Sequence, residues 1–418
     1  MAAPVAAKRP CWPPAAAAAA EHNKRHRTAA AAPMDDGTAT AAADAEAEQQ
    51  PQAKQSQHLQ QPLLPGLPDH LAQLCLKTLP PRLLHAVCRP WRRLLYSPLF
   101  PPFLSLYAVL DDGAEGAVSF AAYDAVAGRW DDLPAPPMPS PPPRLWHPSF
   151  LSRRLPLQSV AAAGRLVLVA GSTGSLSPAL PRPVVFDPSA PAPRWRLGPR
   201  FPFAPRRWCA AGSARGRVFV AGGVGAGYDA NDARSGAVWD PAAPAAAWEP
   251  LPPMRDCRFS RDAAEAVCSG GKVCMVSLRS RGDKEGAVFD LLAGRWEDMP
   301  PGMLAGWKGS AAAASAETIF VVDEERGALI AYDWGGDRWR TVAESERLKG
   351  AAEMAAGGGR VCVASEGGAK VIVVDVTAPQ PTRRAGGPAA PPRMWEVAAP
   401  PGKRVVALHV LPRMTRAE

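Results

Sequence analysis

Apolar residues follow two different rhythms along this chain. Between residues 69 and 96 the spacing is helical. Leu71, Leu74 and Leu76 lie on one side of a helical wheel, and Leu83, Leu84, Val87 and Cys88 belong to a second helix. Asp69 stands where the first helix would be capped. "LPP" (Leu79–Pro81) stops that helix, because proline has no amide to give to a helix interior. Pro90 sits well in the first turn of a third helix, Trp91 to about Tyr96. Helices this short cannot bury a core by themselves. The module, residues 63–103, therefore needs a neighbour within the chain or on a partner.

From about residue 104 the rhythm is that of strands, with short apolar runs closed by Gly, Pro or Asp. A unit recurs whose end is a small apolar strand, an Asp, a tight turn and a Trp. The pairs are Asp124 and Trp130, Asp187 and Trp195, Asp240 and Trp248, Asp290 and Trp296, Asp333 and Trp339, and, with a longer insert, Asp375 and Trp395. Successive tryptophans are 65, 53, 48, 43 and 56 residues apart, and the Asp-to-Trp offset is six in three copies and eight in two. One slot with two turn lengths accounts for this. Upstream lie strands such as "GRLVLVAG" (164–171) and "GRVFVAGG" (216–223), and before them alanine-rich ones such as "WCAAGSA" and "WKGSAAAA". Four strands per unit leave both faces of a sheet uncovered, and radial stacking of the units covers them. The expectation is a mainly β fold, a six-bladed β-propeller over residues 104–412. Alanine and glycine suit the crowded axis, and tryptophan wedges the wide gap between blades. The first unit lacks an inner strand; "RVVALHVLP" (404–412) can supply it and close the ring, removing an open sheet edge.

Composition and charge change this picture mainly at the ends. Residues 1–62 are alanine runs, glutamines and balanced charges, a segment expected to be a disordered tail. Within it "KRP" (Lys8–Pro10) and "NKRHR" (Asn23–Arg27) are either a split nuclear-import signal or tail charge without an address. Residues 413–418 read as a C-terminal tail. No run of apolar residues is long enough to span a membrane. No secretory signal or plastid transit peptide is expected from the alanine-rich, serine-poor start. Eight cysteines without a CxxC pair point to buried thiols in a reducing compartment, nucleus or cytoplasm. The net charge is +9, densest in the helical module, where Lys77, Arg82, Arg89, Arg92 and Arg93 face a single acid, Asp69. Without aromatic residues interleaved among them, these favour an acidic protein partner over nucleic acid.

The strand-Gly-Gly, Asp-turn-Trp pattern resembles kelch repeats, although the double glycine is clear only at Gly222–Gly223. The helical stretch resembles an F-box. Leu67, Pro68, Asp69, Leu71, Leu74, Leu79, Pro80, Leu83, Val87, Cys88, Arg89 and Trp91 occupy the positions of that pattern, in its order. His70, Gln73 and Pro90 depart from it. An F-box followed by kelch repeats is similar to a plant class of substrate receptors of Skp–cullin–F-box (SCF) ubiquitin ligases. The resemblance implies a non-catalytic protein. Leu67, Pro68, Leu71, Leu74, Leu79, Pro80, Leu83, Val87, Cys88 and Trp91 would dock a Skp-family adaptor, and through it cullin and RING subunits. The propeller would hold the protein to be ubiquitinated, for which the resemblance offers enzymes of phenylpropanoid or flavonoid synthesis. The alternative is a kelch scaffold acting outside any ligase.

Catalytic chemistry finds little support. A copper site would need several imidazoles, yet the propeller region holds only His147 and His409, so neither metal nor cofactor is expected. "GGVGAG" (222–227) imitates a phosphate loop, but no helix is expected after it. Cys268 and Cys274 would flank a hairpin as buried thiols. The substrate surface is expected in the connections between blades, as a basic-aromatic mouth of Arg144, Trp146, Arg206, Arg207, Trp208, Arg255, Arg258, Trp307 and Lys308 that selects an acidic patch. A second placement is open for the same residues: tryptophans packed between blades, and arginines solvated or paired with Asp256 and Asp262.

Overall fold

The computed structural model describes residues 62–113, 118–140, 142–143, 157–243, 245–260, 264–277, 284–314, 318–377 and 392–416. The N-terminal basic clusters and the pair Arg144 and Trp146 lie outside them.

Three helices come first: α1 (Asp69–Leu76), α2 (Pro81–Val87) and α3 (Arg89–Tyr96). Prolines set their starts. Pro68 and Pro80 occupy the residues just before α1 and α2, and Pro81 and Pro90 lie in the first turns of α2 and α3. A first turn has amides with no partner inside the helix, so a missing one costs nothing there. Asp69 is thus not the cap expected of it. It lies one place too late, inside the first turn, and its Oδ1 accepts from the Leu63 amide at 3.2 Å. Leu76, Leu84, Leu94, Leu95, Tyr96 and Phe100 form a small core, extended by Phe103 and Val126. Val126 belongs to the first blade, so part of the neighbour the helices need is in the chain.

Five blades are consecutive four-stranded antiparallel meanders. The second blade runs Gln158–Ala162, Arg165–Ala170, Val184–Phe186 and Trp195–Leu197; the third runs Ala210–Ala214, Arg217–Ala221, Gly236–Trp239 and Glu249–Leu251. The fourth is Ala264–Ser269, Lys272–Ser277, Glu285–Asp290 and Arg295–Asp298; the fifth is Ala311–Ala314, Thr318–Asp323, Ala328–Asp333 and Arg338–Glu344. The sixth is Glu353–Gly357, Arg360–Ala364, Lys370–Asp375 and Met394–Ala398. The first blade takes its inner strand from the end of the chain: Arg404–Pro412 pairs with Leu104–Asp111, which is followed by Val118–Asp124 and Arg129–Asp132. The six inner strands contact one another in sequence, and the last contacts the first, so the ring closes. Small residues let them converge. At Gly212 a Cβ would lie 2.6 Å from the Ala266 carbonyl oxygen, beside the single parallel pair, Glu265 with Ala211, that joins the third and fourth blades.

The repeated Asp and Trp have separate jobs. In all six blades the Asp Oδ1 accepts an amide two residues on, as Asp124 does from Val126 and Asp290 from Leu292, fixing the turn to the outer strand. Four of the tryptophans donate their indole N–H to a carbonyl at the edge of the preceding blade: Trp130 to Ala398, Trp195 to Pro134, Trp296 to Pro252 and Trp339 to Gly302. Each tryptophan thereby fills the gap between blades and pins it. Cys209, Cys268, Cys274 and Cys362 are buried free thiols, and burial pushes Cys209, Cys274 and Cys362 up to about 12, which keeps them unreactive. Two short helices interrupt the connections: α4 (Ala230–Arg234) and α5 (Pro301–Gly306). α4 follows the 222–227 glycine loop, where no helix was expected. Its first amides are taken by the Asp229 carboxylate, so they are not offered to a phosphate.

Candidate functional site

Helix α1 turns Ala72 and Leu76 inward and leaves Leu71 and Leu74 outside; α2 turns Leu84 inward and leaves Leu83 and Val87 outside. Eleven large apolar residues are exposed among the described residues, and five of them, Leu67, Leu71, Leu74, Leu83 and Val87, fall in this one short stretch. Clustered exposure of this kind marks an interaction surface, whereas single exposed leucines do not. Of the ten residues expected to dock an adaptor, Pro68 and Pro80 are also exposed. Leu79, Cys88 and Trp91 are half-buried beneath the face. Trp91 supports it by donating its indole N–H to the Leu63 carbonyl at 2.8 Å, which ties the entry segment to α3. Exposed Lys77, Arg82, Arg89, Arg92 and Arg93 complete a basic rim.

Because strands within each blade are antiparallel, their connections alternate between the two faces of the disc. Turns from first to second and from third to fourth strand share one face; second-to-third and blade-to-blade connections share the other. The helices sit on the first of these. Val126 is in a third-to-fourth turn, and Pro80, Pro81 and Arg82 share a groove with Gly358, in a first-to-second turn. The described residues expected at a substrate mouth, Arg206, Arg207, Trp208, Arg255, Arg258, Trp307 and Lys308, lie in blade-to-blade connections, on the far face.

Among the described residues these seven do not form a single exposed patch. Arg206 is 3% exposed; its guanidinium donates to the carbonyls of Gly222 and Ser235 and stacks on Phe203. Trp307 is fully buried between the fourth and fifth blades, edge-on to Trp339. Neither offers surface to a partner, because both are consumed in joining elements of the ring. Arg207 lies over the Trp208 ring at 4.3 Å, and both are half-buried. Arg255 and Arg258 are exposed, opposite Asp298 and Asp256. Lys308 is exposed and pairs with the buried Asp323 at 3.2 Å.

The channel adds residues that sequence reasoning did not single out. A cavity of about 670 Å³ is lined by the inner strands of all six blades. Lys284 and Lys308 stand at its rim with Glu324 and Glu325. Burial and the neighbouring Lys308 lower the Lys284 ammonium's proton affinity. Deeper in, Ser159 and His409 share a hydrogen bond of 2.7 Å across the closure between the first and second blades. Lys284 was missed because it ends a second-to-third connection, just before the strand Glu285–Asp290, rather than lying in a blade-to-blade connection.

No family model matches the chain. Over 372 residues it is 41% identical to the F-box/kelch-repeat protein SKIP25 of Arabidopsis thaliana, an alignment covering 85% of this chain and 90% of that protein. The chain belongs to the F-box/kelch-repeat family. It is also 26% identical over 283 residues to the F-box protein AFR of Arabidopsis thaliana, covering 63% of this chain and 69% of that one. Membership assigns the helices to an F-box and the ring to kelch blades. It supports a general role as a substrate receptor, in a family whose members are generally non-catalytic adaptors binding Skp-family proteins.

Proposed function

We propose that this chain is the substrate-recognition subunit of an SCF ubiquitin ligase. The observation that carries the reading is the uncovered apolar face of α1 and α2, with Leu67, Leu71, Leu74, Leu83 and Val87 in water. About half of each such side chain is still exposed, so its burial is worth on the order of 1 kcal/mol, and a helical groove or bundle on a Skp-family adaptor is the kind of surface that would bury them. Cullin and RING subunits would follow through the adaptor and perform the transfer. The protein substrate would bind at the far mouth, where Arg255, Arg258, Lys284 and Lys308 favour an acidic patch. That the substrate is an enzyme of phenylpropanoid or flavonoid synthesis is carried by family resemblance alone. The reading places the protein in nucleus or cytoplasm, with no nucleic-acid or membrane partner.

The deciding experiment is a pull-down of the full chain against a purified Skp-family adaptor, beside a Leu67→Ala, Pro68→Ala double variant. Binding by the intact chain that the variant loses is the expected result. No binding by the intact chain would move the scaffold reading, a kelch platform outside any ligase, into first place.

A further inference from the structure

Of the four residues after the last strand, Arg413 and Arg416 are bonded to the F-box. Arg413 is 3% exposed, and its guanidinium donates to the carbonyls of Tyr96, Ser97 and Phe100 at 3.2, 2.8 and 3.3 Å. These carbonyls lie at and just beyond the end of α3, where a helix has acceptors without internal partners and favours a cation. The Arg413 amide donates to Phe103 at 2.8 Å. Thr415 anchors to the second blade, its amide donating to Pro188 at 2.8 Å and its hydroxyl to Ser189 at 3.3 Å. Arg416 lies over the Tyr96 ring at 4.2 Å and pairs with Asp124 at 3.1 Å and with Asp131. The Tyr96 hydroxyl donates to the same Asp124 oxygen, Oδ2.

Asp124 is the repeat aspartate of the first blade, and its other oxygen holds the turn as in every blade. In three of the other five blades the second oxygen is satisfied from within the blade: Asp187 by Arg165 at 2.9 Å, Asp290 by Lys272 at 3.1 Å and Asp333 by Arg338 at 3.3 Å. Arg165 and Lys272 do this as the residues directly across the strand pair. In the first blade the residue one place beyond the Leu106–Tyr123 pair, and so across from Asp124, is the neutral Ser105. The cation missing from the blade is replaced by Arg416 from the tail, and the aspartate gains Tyr96 from the F-box.

We propose that residues 413–416 are a strut that fixes the direction of the F-box face relative to the far mouth, with Tyr96, Asp124, Arg413 and Arg416 as positioning residues. Its purpose, holding substrate at a set distance and angle from the transferring subunits, rests on the receptor reading. The strut itself does not. Its test is a distance distribution between spin labels in the full chain, one on exposed Cys75 of α1 and one on a cysteine replacing exposed Leu292 in a fourth-blade turn, with Cys11, Cys88 and Cys257 changed to serine. A single narrow distance is expected, and its width should at least double in Tyr96→Phe, Arg416→Gln and Arg413→Met. Should Arg413→Met fail to fold, the two milder variants carry the test. Unchanged widths in them, or a broad distribution in the unaltered chain, would overturn the strut. Adaptor pull-downs of the same three variants with native cysteines should match the unaltered chain. An adaptor that binds neither these variants nor the unaltered chain sinks the receptor reading and leaves the distance result standing.

Discussion

On the F-box, Leu74 and Val87 keep more than half of their surface in water; at the propeller mouth Trp307, just as conspicuous in the sequence, keeps none. The two regions handle apolar side chains in opposite ways because their elements differ in what they can cover. Three short helices have one inward side and expend it on Leu76, Leu84 and Leu95, so the outward leucines wait for another molecule. A blade has a neighbour on each side, so any large side chain near an edge is drawn into the gap. Residue type and spacing therefore foretell exposed apolar side chains on the helices but not on the ring.

Removing Trp307 should separate these cases most strongly. Trp307→Ala deletes a fully buried ring packed on Trp339 and is expected to cost about 3–5 kcal/mol of propeller stability in denaturant unfolding. Trp307→Phe should cost clearly less, since among the described residues the indole nitrogen meets no acceptor. A neutral Trp307→Ala would return that residue to the mouth. On the F-box the expectation reverses. Leu74→Glu with Val87→Glu should weaken adaptor binding roughly a hundredfold, about 3 kcal/mol, in calorimetric titration. The unfolding midpoint should hardly move, because both side chains are already exposed.

Acid provides an intermediate effect confined to the ring. Burial holds His409 down at about 4, below its unfolded value of 6.5, so the unfolded chain takes up the proton first. His409 therefore favours folding fully above about pH 6.5 and progressively less down to about pH 4. The loss should be on the order of 2–3 kcal/mol. In His409→Gln that part of the pH dependence should disappear from unfolding curves measured between these limits, and its persistence would mean that another group carries it.

The repeat was legible because a turn and an inter-blade gap each demand a chemistry, Asp for the one and Trp for the other, and the demand recurs six times. The closing strand was legible for a related reason: the first unit lacked what the chain's end could provide. The F-box pattern placed the outward leucines through helical spacing. The misreadings come from places where one residue serves a distant element. Asp69 looks like a cap, yet Pro68 takes that place and Asp69 holds Leu63. Arg206 and Arg207 are adjacent and identical, but only Arg206 meets the Gly222 and Ser235 carbonyls and becomes buried. Arg413 and Arg416 read as tail charge because their partners, Tyr96 and Asp124, are about three hundred residues away in sequence. No local pattern encodes such pairings.

The smallest stability effect tests the mouth most sharply. Arg255 and Arg258 have side chains 72% and 42% exposed, and their partners Asp298 and Asp256 are exposed as well. Ion pairs of this kind contribute at most about 1 kcal/mol, so Arg255→Glu with Arg258→Glu should leave thermal unfolding nearly unchanged. Lys308 is a poorer choice, because its reversal would leave the buried Asp323 facing a like charge and confuse recognition with folding. If the far mouth selects an acidic surface, proteins recovered by the unaltered chain from plant extract under proteasome inhibition should fall roughly tenfold with the double reversal. Raised salt should weaken the same capture by screening. Recovery that survives both would remove charge from the recognition surface and leave shape, or the residues between 144 and 156, to select the substrate.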